Sequence, residues 1–243
     1  MLTYHKVSIV VPVYNEKRYI STLITALQEA PVLDLKKEII LVDDCSKDGT
    51  REVLQGLPLQ EGFKVIYRET NGGKGSALVD GFKVVTGDIV IVQDADMEYD
   101  PNEYPSLLEP FLEHNAEVVY GSRYLKGSLR QVPLFWHTIF NKLFTLLSNM
   151  LTNVYLTDEQ TCYKVFNKKV LEEVALKIES KRFGFDPEFT VRMSRGKYKI
   201  MEVPVSYYPR TRAAGKHMNL RSQIDTLITL LKYSWKLRHD RLR

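Results

Sequence analysis

Five short apolar runs punctuate the first half of the chain, at 7–13, 38–43, 64–68, 88–93 and 116–120. Several are nearly continuous valine, isoleucine and leucine, the pattern of strands covered on both faces. The stretches between them, near 17–29, 48–57, 75–86 and 103–114, carry helical patterns. Asp48 stands where it can cap the second of these helices, and Pro101-Asn102 opens the fourth. Strands and helices in alternation predict an α/β fold with a doubly wound, mostly parallel sheet.

The second half is patterned differently. Residues 132–155 place Phe135, Ile139, Leu143, Leu146, Leu147, Met150, Leu151 and Val154 at helical spacing. Helices are expected at 168–178 and 184–195, a strand at 199–207, and a last helix at 221–238 with Ile224, Leu227, Ile228 and Leu231 on one face. No repeat and no flexible linker interrupts the chain, so one domain over 1–243 is expected. Within it, 132–155 and 221–243 read as amphipathic elements suited to a membrane surface. The apolar stretch 131–157 is broken by a lysine and dotted with Asn, Ser, Thr and His, which argues against a bilayer span. The N-terminus lacks the layout of a signal peptide. A cytoplasmic protein, peripheral on the cytosolic face of a membrane, is the expectation.

Composition narrows this only a little. The 243 residues are 44% hydrophobic and 26% charged, which excludes collagen-like, low-complexity and disordered classes. Two cysteines, Cys45 and Cys162, are too few for a disulfide scaffold and lack zinc-type spacing. The net charge of +4 is unevenly placed: nine lysines and arginines in 209–243 face only Asp225 and Asp240, so the preceding residues are net acidic. A basic tail on an acidic body suits an anionic partner. Nucleic acid is not favoured, because no recognition motif or aromatic stacking set accompanies the basic residues.

In open α/β sheets ligands bind beyond the carboxyl ends of the strands. The five strand ends here read Pro12-Val13-Tyr14-Asn15-Glu16, Asp43-Asp44-Cys45-Ser46, Asn71-Gly72-Gly73-Lys74-Gly75, Asp94-Ala95-Asp96-Met97-Glu98 and Gly121-Ser122-Arg123. Carboxylates, glycines and cations thus converge on one edge. Residues i and i+2 of an extended segment share a side, so Asp94 and Asp96 can hold a hard divalent cation, Mg²⁺ or Mn²⁺, with Glu98 as a third ligand. Asp43 and Asp44 can accept hydrogen bonds from a base or ribose, or simply shape the turn that Asp-x-Ser-x-Asp-Gly chemistry favours. The loop 71–75 is neither a Walker A nor a G-x-G-x-x-G motif; Lys74 can reach phosphate or stand as a surface charge. Arg123, Arg130, Arg210, Arg212 and Lys216 are the cations near expected loops. His137 has no metal-spaced partner and reads as a core or surface histidine.

Together V-S-I-V-V-P-V-Y-N-E, I-I-L-V-D-D-C-S-x-D-G-T, N-G-G-K-G-S-A, D-A-D and G-S-R-Y resemble the GT-A glycosyltransferases of family 2, in particular the dolichyl- or polyprenyl-phosphate hexose synthases. The resemblance continues through D-E-Q-T-C-Y-K-V-F at 158–166, G-F-D-P-E-F at 184–189 and P-R-T-R-A-A-G-K at 209–216, covering about residues 7–220. It implies the GT-A, Rossmann-like fold, a GDP- or UDP-sugar donor, a polyprenyl phosphate acceptor and inversion at the sugar carbon. It implies Pro12, Tyr14, Glu16, Asp43, Asp44, Lys74 and Lys216 at the nucleotide sugar, and Asp94, Asp96 and Glu98 at the metal. Arg123 and Arg130 would approach the acceptor phosphate, and Arg212 with Lys216 would close a loop on the diphosphate. Cys162 departs from the glycine of many relatives, and the sequence after Lys216 departs too. C-terminal transmembrane helices present in some relatives are absent, which leaves room for a membrane-anchoring partner protein. The Q-x-x-R-W signature of processive synthases is also absent, which argues against polymerisation.

Two other functions compete. A glycosyltransferase acting on a hydroxyl would need a general base, for which Asp158 and Asp186 are the candidates. A phosphate monoester, with a second pKa of about 6, is already ionised and needs none. A non-catalytic nucleotide-sugar binding subunit would have no need of the Asp94/Asp96 pair.

Overall fold

Alternation within the first strand sets the architecture. A computed structural model describes residues 3–58, 61–127, 131–210 and 220–238. In β1 (Lys6–Val13), Val7, Ile9, Val11 and Val13 enter one apolar cluster while Val10 enters another, because successive side chains leave a strand on opposite faces. β1 therefore lies inside the sheet. It pairs in parallel with β2 (Lys36–Asp43), and beyond β2 lies β3 (Phe63–Tyr67), also parallel. On its other side β1 pairs in parallel with β4 (Ile89–Val92), Val10 facing Val92. β5 (Val118–Ser122) and β7 (Ile200–Pro204) are parallel partners at the far edge. β6 (Lys164–Asn167) fits between β4 and β5, antiparallel to both. The order is β3-β2-β1-β4-β6-β5-β7.

β6 is the strand that the apolar pattern does not announce. It is only four residues, KVFN, and its lysine and asparagine are buried with the rest. A run this short has no readable period. Lys164 is tolerated there because its ammonium donates to the Glu159 carbonyl (3.0 Å), the Thr161 carbonyl (2.6 Å) and the Asp186 carboxylate (2.6 Å).

One face of the sheet is covered by α1 (Ile20–Glu29), α2 (Thr50–Gly56) and α4 (Tyr104–His114), through Leu23, Leu54 and Phe111 among others. The other is covered by α3 (Lys74–Phe82), α6 (Lys168–Glu173) and α7 (Phe185–Arg195), through Phe82, Leu171 and Phe189. A further layer packs on α7: α5 (Phe135–Thr152) and α8 (Leu220–Lys236) meet it through Phe144, Val191, Leu230 and Tyr233. Asn153, in the left-handed region at φ +56°, ends α5, and the Asn149 side chain brackets Leu156 just beyond. Asp48 is not the N-cap of α2, a place taken by Gly49, yet its carboxylate still accepts the Thr50 N–H at 3.0 Å. Among the described residues no helix is long and apolar enough to cross a membrane.

At the amino edge of the sheet one carboxylate gathers five donors. Glu38, 2% exposed, accepts from the Ser8 hydroxyl, the Thr86 amide and hydroxyl, and the Lys6 and Lys64 ammonium groups at 2.5–3.3 Å. Burial pushes its carboxyl up, but the Ser8, Thr86 and Lys6 hydrogen bonds outweigh that and hold it down at about 2.

Candidate active site

The opposite, carboxyl edge is built from loops that hold one another. After β1, Asn15 turns through φ +55°, its amide donating to Ser46 and its side chain accepting from the Lys47 amide. The loops after β1 and β2 are thereby joined. The two adjacent aspartates after β2 then separate in role. Asp43 is fully buried and spends its carboxylate inside the turn, on Arg51 Nε (2.7 Å) and the Ser46 amide (3.2 Å). Asp44 accepts from the Gly72 and Gly73 amides at 2.9 and 2.6 Å and pairs with Arg68, so it fixes the glycine loop and lines the cleft above it.

That loop delivers Lys74. Its ammonium lies 2.8 Å from Asp94 and 3.9 Å from Asp186. Burial works against its charge, yet Asp186 and Asp94 outweigh burial and raise its pKa well above the ordinary lysine value.

The turn after β4 is acidic. Asp94 is positioned through its amide, which donates to Cys162 Sγ at 3.0 Å. Asp96 accepts from the Glu98 amide at 3.2 Å and faces Arg210 Nη2 at 3.3 Å. Burial first, then the charges of Asp94 and Glu98, push the Asp96 carboxyl up to about 7 despite Arg210. Arg210 also reaches Glu16 at 3.0 Å. Burial raises the Glu16 pKa, with Arg210 opposing. Glu98, the expected third metal ligand, is already hydrogen-bonded in this structure. Its two oxygens accept from the Tyr207 hydroxyl and the Arg210 amide, both at 2.9 Å, so it braces the 207–210 segment against the turn. Among the described residues no three acidic, histidine or cysteine side chains form a ready metal-ligand group.

After β5, buried Arg123 makes a two-pronged pair with Asp158, Nε to Oδ2 at 2.7 Å and Nη2 to Oδ1 at 2.8 Å. Its guanidinium also lies 5.1 Å from the Tyr207 ring centre. Asp186 is held by Lys164, and Lys164 with Lys74 overcomes burial to keep its carboxyl below the usual range.

Two clefts result. The first, about 420 Å³, is lined by Pro12, Tyr14, Glu16, Asp44, Asp96 and Arg210. The second, about 250 Å³, opens between α5 and α8 and is lined by Arg123, His137, Asn141, Gln160, Asp186 and Thr226. They meet at Lys74, Asp94 and Phe183, which line both. Of the residues singled out by sequence, Pro12, Tyr14, Glu16, Asp44, Lys74, Asp94 and Asp96 come together in the first cleft, and Arg123 and Glu98 in the second. Asp43 stays behind in the turn. Arg130, Arg212 and Lys216 lie outside the described residues. Pattern reading passed over Phe183 and Gln160, and set His137 aside, because no spacing marks a residue placed by tertiary packing. Arg210 was legible as one cation among several and as the start of the Arg210-x-Arg212-x-x-Gly215-Lys216 run suited to a diphosphate, but not as a partner of Glu16 and Asp96.

Residues 8–175 match the family model described as Glycosyl transferase family 2. The chain is 32% identical over 214 residues to a dolichol-phosphate mannosyltransferase of Pyrococcus furiosus, covering 87% of this chain and 59% of that protein. It thus spans less than two thirds of that relative. It is 29% identical to an undecaprenyl-phosphate mannosyltransferase of Micrococcus luteus, covering 84% of each. It is 26% identical to a UDP-N-acetylglucosamine–dolichyl-phosphate N-acetylglucosaminyltransferase of Methanococcus voltae, covering 92% of this chain and 95% of that one. The structure of glucosyl-3-phosphoglycerate synthase from Mycobacterium tuberculosis, in complex with Mn²⁺, UDP and phosphoglyceric acid, superposes with a TM-score of 0.71. It is 18% identical and covers 95% of this chain and 78% of that one, a likeness of fold.

Proposed function

Because the chain belongs to glycosyl transferase family 2 and has the GT-A fold, we propose that it transfers a hexose, with inversion, from a GDP- or UDP-sugar to polyprenyl phosphate at a membrane surface. The observation that carries this reading is the second cleft. It joins the first at Lys74, and its walls are α5 and α8, which turn apolar side chains outward: Trp136 is 76% and Trp235 78% exposed. A charged headgroup and an apolar tail each find a matching surface there. Attachment would come from these faces, on the cytosolic side, or from a membrane-anchored partner chain.

The donor's nucleotide would lie in the first cleft against Pro12, Tyr14, Glu16 and Asp44. The Asp94/Asp96 edge suits a hard divalent cation, Mg²⁺ or Mn²⁺: its donors are all oxygen, and burial together with the neighbouring Asp94 and Glu98 charges raises the Asp96 pKa. Asp94 and Asp96 would hold the metal, which when bound supplies Lewis-acid neutralisation of the leaving diphosphate. Lys74 remains protonated throughout the physiological range and sits where donor and acceptor phosphates would meet. Arg210 would exchange its carboxylate partners for diphosphate oxygens as the donor enters. Arg123, oriented by Asp158, would align the acceptor, and a correctly aligned phosphate oxygen attacks opposite the leaving group. Both candidate bases for a hydroxyl acceptor are engaged: Asp158 by Arg123, Asp186 by Lys164 and Lys74. That favours an acceptor already ionised near neutral pH.

The test is nucleoside-diphosphate release from GDP- and UDP-sugars with Mn²⁺, with and without a short polyprenyl phosphate. Lipid-dependent release is expected with one donor. Release indifferent to lipid, or none with any donor, would overturn the reading.

A further inference from the structure

Phe183 is an aromatic side chain that the core does not require. It is 55% exposed and lines both clefts where they meet, beside Lys74 and Asp94. It stands on a 3-10 turn, Arg182–Gly184, at the start of α7. Arg182 has φ +50°, a conformation that residues with side chains rarely adopt. Such a conformer persists only where the surroundings over-determine it, and here they do. A Cβ on Gly73 would lie 2.7 Å from the Arg182 Cα, and one on Gly75 would collide with the Ser180 carbonyl, so these glycines let the turn press on the loop that carries Lys74. Fully buried Glu188 accepts from the Glu179 and Ser180 amides at 3.1 and 2.7 Å and is itself held by Arg192 Nε at 2.6 Å. On the remaining side, a Cβ on Gly184 would lie 2.9 Å from the Ser180 Cβ and 3.1 Å from the Thr229 hydroxyl of α8. A strained turn, fixed on three sides, thus presents one ring to a junction whose other walls are charged.

Resting on the donor and acceptor assignment above, we propose that Phe183 is the partition that keeps water from the sugar's anomeric carbon. Two reactions compete at that carbon. In transfer, an acceptor phosphate oxygen bonds to it as its bond to the diphosphate breaks, and the electron pair leaves with the nucleoside diphosphate. In hydrolysis, a water oxygen makes the new bond, its proton passes to solvent, and free hexose leaves with the same nucleoside diphosphate. A ring between the clefts fills the volume that water would need and offers an apolar face to sugar C–H groups. Excluding water in this way decides where the sugar goes without altering the leaving group.

The deciding quantity is the fraction of nucleoside-diphosphate release that appears as free hexose. It is measured at fixed donor and saturating farnesyl phosphate, with Mn²⁺, for wild type, Phe183→Ala and Phe183→Leu. Phe183→Ala is expected to raise that fraction about tenfold or more; Phe183→Leu, which keeps most of the bulk, restores a value near wild type. A thermal midpoint close to wild type accompanies both, since the ring is half exposed. An unchanged hexose fraction in Phe183→Ala overturns the partition, whether transfer holds or falls. A fraction raised equally in both variants overturns it too, because bulk would then not matter. Absence of lipid-dependent release by wild type overturns the function on which the partition rests; lipid-dependent release with an unmoved fraction overturns the partition alone.

Discussion

Glu38 is a buried and Asp96 a half-buried carboxylate, one at each end of the same sheet, and their environments push them in opposite directions. At the amino edge, Glu38 is surrounded by hydroxyls, an amide and two lysines, and its carboxyl sits at about 2. At the carboxyl edge, Asp96 has two acidic neighbours and one arginine, and its carboxyl rises to about 7. The first arrangement is complete as it stands and stabilises the fold. Among the described residues the second sets Glu16, Asp94, Asp96 and Glu98 against Lys74 and Arg210. Among the described residues the fold thus gathers balanced polar groups at one end and more carboxylates than cations at the other, where a ligand can make use of them.

The largest expected effect comes from removing one of the carboxyl-edge charges. Asp96→Asn should lower transfer by at least about 10³-fold, several kcal/mol of lost charge stabilisation, while the protein stays folded. Normal turnover by the folded variant would end the metal assignment. Lys74→Met should cost about 10²–10³-fold in kcat, since it removes a cation from the junction of the clefts; an effect confined to KM would place Lys74 outside the reaction centre.

The sharper contrast is in stability against pH, read by thermal melts in chelator. The Glu38 pKa is depressed on folding, so its contribution is present above about 4.5 and is lost as pH falls towards about 2. The Asp96 pKa is raised on folding, so its contribution is present below about 4 and is lost as pH rises through about 7. Asp96→Asn should therefore melt higher than wild type at pH 8, with the difference closing near pH 4. Glu38→Gln should destabilise by about 1–3 kcal/mol at pH 7, a fall of about 2–4 °C per kcal/mol for a chain of this size, and leave transfer per folded molecule unchanged. Opposite signs for the two variants at neutral pH are the content of the comparison, and equal signs would break it. The smallest effect belongs to a surface that touches neither carboxylate. Trp136→Ser with Trp235→Ser should weaken pelleting with anionic liposomes about tenfold without changing the melting curve; unchanged pelleting would remove α5 and α8 from membrane contact.

The parallel strands and their helices were legible because apolar runs and helical periods are local properties of the chain. β6 was not, because four residues carry no period and a buried lysine in a strand reads as polar. The carboxyl-edge residues were legible as a set, but their division of labour was not. Asp43 and Asp44 are neighbours with the same side chain, and only Arg51 on one side and the Gly72–Gly73 amides on the other distinguish them. Glu98 continues the alternation of Asp94 and Asp96, and only the approach of Tyr207 and Arg210 shows where its oxygens are spent. Phe183 had no signal of its own, since its position comes from the glycines opposite it.

Arg210 reaches the Asp94–Glu98 turn from far along the chain, and that separation gives the turn a history. During synthesis at about 5–20 residues per second, the acidic turn leaves the ribosome on the order of ten seconds before the arginine that will face it. The early chain can form β1 to β4, yet it holds Asp94, Asp96 and Glu98 with Lys74 as the cation that the finished site pairs with Asp94. The amino-terminal half is thus born with a negative charge that its own later segment only partly offsets, and a nascent chain stalled before residue 210 should favour divalent ions more than the completed protein does.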